Sequence, residues 1–262
     1  MLRANNLVVR AGRKTLLQPT SIALKAGECV AILGPNGAGK STLLSCLSGE
    51  RGSEVGRVFL DDVALDEWRG SERAQRIAVM PQSVVLAFPM KVWQVVALGR
   101  SPLGDETQTR HWQKEAMQTT GVWVLRDRLF PSLSGGEQQR VQLARVLVQI
   151  WEVLTHSVND SAPRYLLLDE CTSALDPAHQ HAIMTVVKDF AQQGVGVCAV
   201  LHDISLAASW ADRVVIMKDG AISAQGSSNI LRDASALEAA YDLPAPLARV
   251  YAQQNKVWEC DL

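Results

Sequence analysis

Short unbroken apolar runs punctuate this chain, and they predict buried strands. Cys29–Leu33 is one, Tyr165–Asp169 is another that ends in an acid, and 195–201 and 214–218 read the same way. Ile77–Met80 is a further strand, stopped by Pro81, and 57–62 is a short one. Over residues 2–28 the strand-like pieces are broken by Gly12, Pro19 and Gly27, which suits a small antiparallel sheet. A helix is expected over Lys40–Leu47, ended by Gly49, and Asp219-Gly220 is a hairpin turn. From 83 to about 158 the pattern shifts to helical periodicity, with Trp93, Trp112, Trp123 and Trp151 spread through it, as in a helical lobe inserted into an α/β core. Beyond Gly226 the tail is alanine-rich and carries Pro244 and Pro246. No internal repeat or low-complexity linker interrupts this order.

These periods organise 1–262 as one domain. The core takes 1–82, which includes the antiparallel sheet, together with 163–225. The helical subdomain is 83–162, and 226–262 is a helical tail. A length of 262 residues allows such a core with an inserted lobe.

Composition narrows the partners. With 26 Lys plus Arg against 27 Asp plus Glu, no bulk field favours nucleic acid or an anionic membrane surface. The five cysteines, Cys29, Cys46, Cys171, Cys198 and Cys260, show neither metal-ligand spacing nor a disulfide framework, which fits a reducing cytoplasm. There is no signal core at the N-terminus and no stretch of 18 apolar residues. The expectation is a protein that docks on a membrane-spanning partner if it works at a membrane.

The chemistry begins directly after the first buried strand. Gly34, Pro35, Asn36, Gly37, Ala38, Gly39, Lys40 and Ser41 match G-x-x-x-x-G-K-[ST], with Thr42 next in the binding set. Glycines let consecutive N–H groups turn inward around phosphate oxygens, and the following helix adds its positive end. Lys40 is expected to reach the β- and γ-phosphates and Ser41 to contact Mg²⁺. By average residue frequencies the pattern arises in roughly one chain in a hundred of this length. A nucleoside triphosphate is therefore the expected ligand.

Two further elements carry carboxylates and a second anion site. Asp169 at the tip of an apolar strand puts an acid near Mg²⁺, and Glu170 beside it can activate a water for in-line attack on the γ-phosphate; alone, the pattern equally fits a strand running into a solvated turn. In Leu133-Ser134-Gly135-Gly136-Glu137-Gln138, Ser134 and Glu137 form a capping box. A helix should begin there and run to about Gln149, with Val141, Ala144 and Val148 on one face. Two glycines in its first turn leave amides uncovered, so the helix end offers a phosphate the Ser134 hydroxyl, bare N–H groups and the dipole. The motif seen alone also fits an ordinary capped helix.

The phosphate loop, Gln82 after Met80-Pro81, Leu-Ser-Gly-Gly-Glu-Gln, Leu-Leu-Leu-Asp-Glu, Ser173-Ala-Leu-Asp176 and His202 occur in the order seen in ATP-binding-cassette ATPases. The chain resembles the ATPase subunit of an ABC transporter over nearly its whole length. That resemblance implies an α/β P-loop NTPase core of RecA-like type, with an antiparallel β subdomain and an inserted α-helical subdomain. It implies ATP and Mg²⁺ as ligands, and two copies packed head to tail. Each ATP then lies between one copy's phosphate loop and Ser134, Gly135 and Gly136 of the other. It makes Glu170 the general base and His202 a γ-phosphate contact. Gln82 contacts Mg²⁺ and the attacking water and relays closure, and Asp176 joins the two sites. The partners implied are an integral membrane permease dimer and, indirectly, a periplasmic substrate-binding protein. The location implied is the cytoplasmic face of a bacterial inner membrane.

Within that family, 88–102 is similar to the segment after the glutamine loop in importers for ferric siderophores, haem and cobalamin, and the role implied for 83–102 is a docking groove for permease helices, with Val92, Val95, Val96 and Leu98 also fitting an amphipathic core helix. The insert near Trp151 is similar to the haem-importing branch. A soluble ABC ATPase of repair or translation is the alternative of another class; the single cassette, the missing heptads and the missing basic stripe stand against it. A P-loop GTPase or kinase lacks any need for Leu-Ser-Gly-Gly-Glu, and a non-hydrolysing subunit would not need Glu170 and His202. Three departures stand out. Ala11 occupies the usual adenine-stacking position, leaving either looser base selectivity or cover from Arg10 or Arg13. Cys171 replaces the usual proline after Glu170, which frees an N–H and would loosen the loop. Residues 149–163 are long and read as an added surface loop containing 157–161.

Overall fold

A computed structural model describes residues 1–84, 86, 88–101, 109–155 and 162–255. The polar insert 157–161, Pro102, Cys260 and the tail past 255 lie outside the described residues. The chain opens with β1 (Leu2–Ala11), β2 (Lys14–Leu24) and β3 (Cys29–Leu33), followed by α1 (Lys40–Leu47), β4 (Val55–Leu60) and β5 (Val63–Ala64). Then come α2 (Gly70–Arg76), β6 (Ile77–Met80), α3 (Val92–Ala97), α4 (Thr109–Thr119) and α5 (Gly135–Gln149). The chain continues through β7 (Tyr165–Asp169), α6 (Pro177–Gln192), β8 (Gly196–Val200) and α7 (Ile204–Trp210). It ends with β9 (Arg213–Lys218), β10 (Ala221–Ser227), α8 (Ala234–Tyr241) and α9 (Ala245–Gln254).

The strands form two sheets. One has four strands in the order β2-β1-β4-β5, all antiparallel, and the other has six in the order β10-β9-β3-β8-β7-β6. In the larger sheet every pairing is parallel except that of β10 with β9. Every residue of β3, β7 and β8 is buried. Both faces of a parallel sheet are covered, so its central strands read as continuous apolar runs. Alternation sorts their side chains into two cores. Ala31, Leu33, Leu166, Leu168, Val197 and Ala199 face the helices, whereas Val30, Ile32, Leu167, Cys198 and Val200 join α1 and the antiparallel sheet.

Pro19 was expected to break a strand, but it lies inside β2. β2 is the outer strand of its sheet, and the register with β1 shifts between Leu7↔Thr20 and Val9↔Leu17, so the residue without an N–H sits where the ladder asks for none. The strand expected over 57–62 is β4, which ends at Leu60; Asp61 and Asp62 form a turn with φ of 50° and 68° leading to β5.

Candidate functional site

The phosphate-loop sequence connects β3 to α1, as its strand and helix signals require. Gly34 has φ 141°, and a Cβ there would lie 2.1 Å from the Met217 carbonyl oxygen, so only glycine fits against the end of β9. Gly39, with φ 96°, is the N-cap of α1, and its Cβ would lie 2.8 Å from the Leu16 carbonyl. Lys40 is the first residue of α1 and is buried. Its Nζ donates to the carbonyls of Gly34 at 2.8 Å and Pro35 at 2.9 Å. Burial lowers its pKa, while the charges of Glu170 and Asp169 oppose that shift.

The tips of β7 and β8 deliver the other groups. The Ser41 hydroxyl donates to Asp169 Oδ1 at 3.1 Å. Burial raises the Asp169 pKa; the Ser41 hydrogen bond works against that, and the nearby Glu170 charge adds to it. Glu170 stands in the left-handed region at φ 53°, with its N–H donating to Val200 O. Such backbone is costly for a non-glycine residue and is found where the surroundings fix it. Both its carboxylate oxygens are engaged: Gln82 Nε2 donates to Oε2 at 2.8 Å, and His202 Nε2 lies 2.8 Å from Oε1. A cavity of about 490 Å³ is lined by Lys14, Leu16, residues 36–42, Gln82, Glu170 and His202. Gln82 and Glu170, 88 residues apart in sequence, thus meet beside the phosphate loop.

Ser134, Gly135, Gly136 and Asp176 do not line that cavity. Ser134 caps α5 as its sequence dictates: its Oγ accepts from the Glu137 N–H at 3.3 Å, and Glu137 Oε2 accepts from the Ser134 N–H at 2.8 Å. Val141, Ala144 and Val148 are all buried. The start of α5 packs on the loop between Glu170 and Asp176, where a Cβ on Gly136 would meet Ala174 O at 3.0 Å. Asp176 caps α6, its Oδ1 accepting from the His179 N–H at 2.9 Å.

Several positions at the candidate site carry no signal that the sequence reading used. Lys14 and Leu16, at the start of β2, line the cavity, whereas Ala11, Arg10 and Arg13 do not. The only available signal was their place just beyond Gly12. Gln139 was also passed over: its Nε2 donates to Ser173 Oγ at 2.9 Å and to Glu170 O at 3.4 Å, and its Oε1 accepts from the Ala174 N–H at 3.1 Å. One residue of α5 therefore grips the loop that carries the acid. Cys171 is 1% exposed, burial pushes its thiol up to about 12, and Ser173 N–H to Glu170 O and Leu175 N–H to Thr172 O close the loop.

Comparison with known proteins supplies the family. Residues 17–173 match the family model described as ABC transporter. The chain belongs to the ABC transporter ATPase family. It is 44% identical over 252 residues to the hemin import ATP-binding protein HmuV of Gloeobacter violaceus, covering 95% of this chain and 90% of that protein. It is 46% identical over 222 residues to HmuV of Pseudomonas aeruginosa, covering 84% of each. A dimeric structure of a bacterial ABC transporter cassette superimposes with a TM-score of 0.73 at 25% identity, over 87% of this chain and 99% of that one. The expected fold class, an α/β P-loop core with an antiparallel β subdomain, is the one found. No helix among the described residues is long and apolar enough to cross a membrane.

Proposed function

We propose that this chain is the ATP-hydrolysing subunit of a bacterial haem importer. The observation that carries the proposal is the single cavity that gathers Lys40, Ser41, Gln82, Glu170 and His202. A triphosphate entering it meets the backbone N–H groups of Asn36, Gly37, Ala38 and Gly39, in the turn opened by Gly34 and Pro35, and the first turn of α1 with Ser41 and Thr42, and it draws Lys40 from its two carbonyls. Glu170 accepts a proton from the attacking water. His202 and Gln82, already bonded to its two oxygens, hold the carboxylate in place and are released toward the phosphate and the water as the nucleotide binds.

The donors present suit Mg²⁺. Ser41 Oγ and Asp169 Oδ1 are oxygen ligands 3.1 Å apart beside the phosphate loop, with Gln82 across the cavity. Mg²⁺ favours one or two protein oxygens completed by phosphate and water rather than a full protein cage, and it would neutralise developing charge on the phosphates.

Ser134, Gly135 and Gly136 lie outside this cavity, so they serve a nucleotide held by a second copy. The two copies pack head to tail, and Asp176 lies on the loop that joins one site to the other. Similarity to a dimeric cassette supports that arrangement. A membrane permease dimer is the second partner, docked at the helical subdomain, which in sequence separates the core pieces 1–82 and 163–225 and precedes the tail 226–262. Phe88 is 76% and Val124 80% exposed there, with Trp93, Leu98 and Leu129 also open to solvent. The periplasmic substrate-binding protein acts through the permease, at the cytoplasmic face of an inner membrane, and no nucleic acid takes part. The names of the relatives support haem as cargo.

The test is reconstitution with the neighbouring permease and binding protein in liposomes. Haem-loaded binding protein should stimulate ATP hydrolysis and drive haem accumulation. Stimulation by a ferric siderophore or cobalamin instead would reassign the cargo, and the absence of any coupling would overturn the transport role.

A further inference from the structure

Glu170 opens a surface turn, yet its backbone is fastened on both sides. Its N–H donates to Val200 O at 3.2 Å, which ties it to the tip of β8. Its carbonyl accepts from the Ser173 N–H at 3.2 Å, from the Ser173 hydroxyl at 3.1 Å and from Gln139 Nε2 at a longer 3.4 Å. Gln139 also donates to Ser173 Oγ at 2.9 Å and accepts from the Ala174 N–H at 3.1 Å, so one side-chain amide spans three residues of the turn. Ser173 and Ala174 are exposed, whereas α5, which carries Gln139, is anchored by Val141, Leu143 and Ala144, all fully buried. The helix is a fixed reference, and the turn is the part that needs one. On the other side of the turn, Gln180 Nε2 of α6 donates to the carbonyls of Thr172 and Leu175 at 3.1 Å each, one step removed from the acid.

The left-handed backbone of Glu170, at φ 53°, persists only because its neighbours fix it. A general base must stand within hydrogen-bond reach of the proton it takes, and a misplacement of ~1 Å can slow such a step by ~10²-fold. We propose that Gln139 is a positioning residue for Glu170. It fixes the peptide that follows the acid, and with it the direction of the carboxylate, from a helix that does not line the nucleotide cavity. Ser173 is the relay: its hydroxyl accepts from Gln139 and donates to the Glu170 carbonyl. This rests on the reading of Glu170 as the general base. A role in stability alone would not separate turnover from binding, whereas a positioning role lowers turnover and spares the grip on ATP.

Gln139→Met keeps the length and packing of the side chain but offers the turn neither an N–H nor a carbonyl. ATP affinity of isolated subunits by calorimetry should stay within about twofold, while kcat at saturating ATP should fall about tenfold to a hundredfold. On a Glu170→Gln background, the ATP-trapped dimer should form equally with and without Gln139→Met, because the amide takes no part in gripping nucleotide. Ser173→Ala should lower kcat in the same direction. The double variant should be slower than the slower single one by no more than about twofold, since both act through one network. The inference is overturned by an unchanged kcat in Gln139→Met, by a loss of ATP affinity in step with the rate, or by loss of the trapped dimer. A double variant whose rate loss is the product of the two single losses would overturn it as well. Hydrolysis at the original rate by Glu170→Gln alone would instead refute the general-base reading beneath it.

Discussion

Glu170→Gln separates chemistry from binding. In the structure Glu170 accepts from Gln82 on one oxygen and faces His202 Nε2 on the other, each at 2.8 Å. Glutamine keeps the shape and one acceptor, and the Gln82 amide can turn to present its own oxygen to the new NH₂. The fold should therefore lose no more than about 1 kcal/mol. The proton acceptor is lost entirely, and a missing general base costs ~10²–10⁴-fold in kcat, or about 3–5 kcal/mol in the barrier. ATP affinity should hold or rise, because a carboxylate that faced the phosphates has become neutral. Phosphate release under single-turnover conditions and calorimetric ATP titration read the two effects independently. Hydrolysis at the original rate would refute the base assignment. A loss of ATP affinity in step with the rate would show that Glu170 acts in binding instead.

Three further substitutions probe other parts of the site. Ser134→Arg places a long cation at the start of α5, away from the cavity; isolated subunits should bind ATP normally but fail to form an ATP-trapped dimer on gel filtration, and a dimer that persists would contradict the shared site. Gly34→Ala forces a Cβ to within 2.1 Å of Met217 O at a φ of 141°, so it should destabilise the protein by about 1–3 kcal/mol or more and abolish nucleotide binding; a normal melting temperature would refute the close approach. Glu28 tests pH dependence. Burial would raise its pKa, but bonds from Arg213 at 2.7 Å and from the Lys25 N–H at 3.1 Å outweigh burial and hold it below its usual 4.5. The folded chain therefore binds this proton less well than the unfolded one, so the stabilisation is complete above pH 4.5 and fades as pH falls through the folded value. Denaturant titrations should show stability falling less steeply below that pH in Glu28→Gln, by about 1 kcal/mol, and identical acid limbs would refute the pair's role.

Most of the candidate site was legible because its signals are local. The phosphate-loop motif is eight residues that run from the end of a buried strand into the first turn of a helix, and the Ser134–Glu137 capping box fixes the start of α5 within four residues. The parallel strands were legible because burial on both faces leaves unbroken apolar runs such as Cys29–Leu33. What escaped depends on tertiary approach. Pro19 could be placed in a strand only once β2 was known to be an outer one with a register shift. Gln139 has no local mark, yet it bonds Ser173 and Ala174, 34 and 35 residues on. Lys14 and Leu16 reach the cavity because β2 runs beside the phosphate loop, where Gly39 approaches the Leu16 carbonyl. No periodicity encodes that approach.

The central claim is that one nucleotide is shared by two chains. Specific ATPase activity measured against subunit concentration, with the association state followed by sedimentation, tests it most directly. Turnover per chain should climb with concentration as dimers form and vanish when every chain is monomeric. Full turnover by chains shown to be monomers throughout would contradict the account.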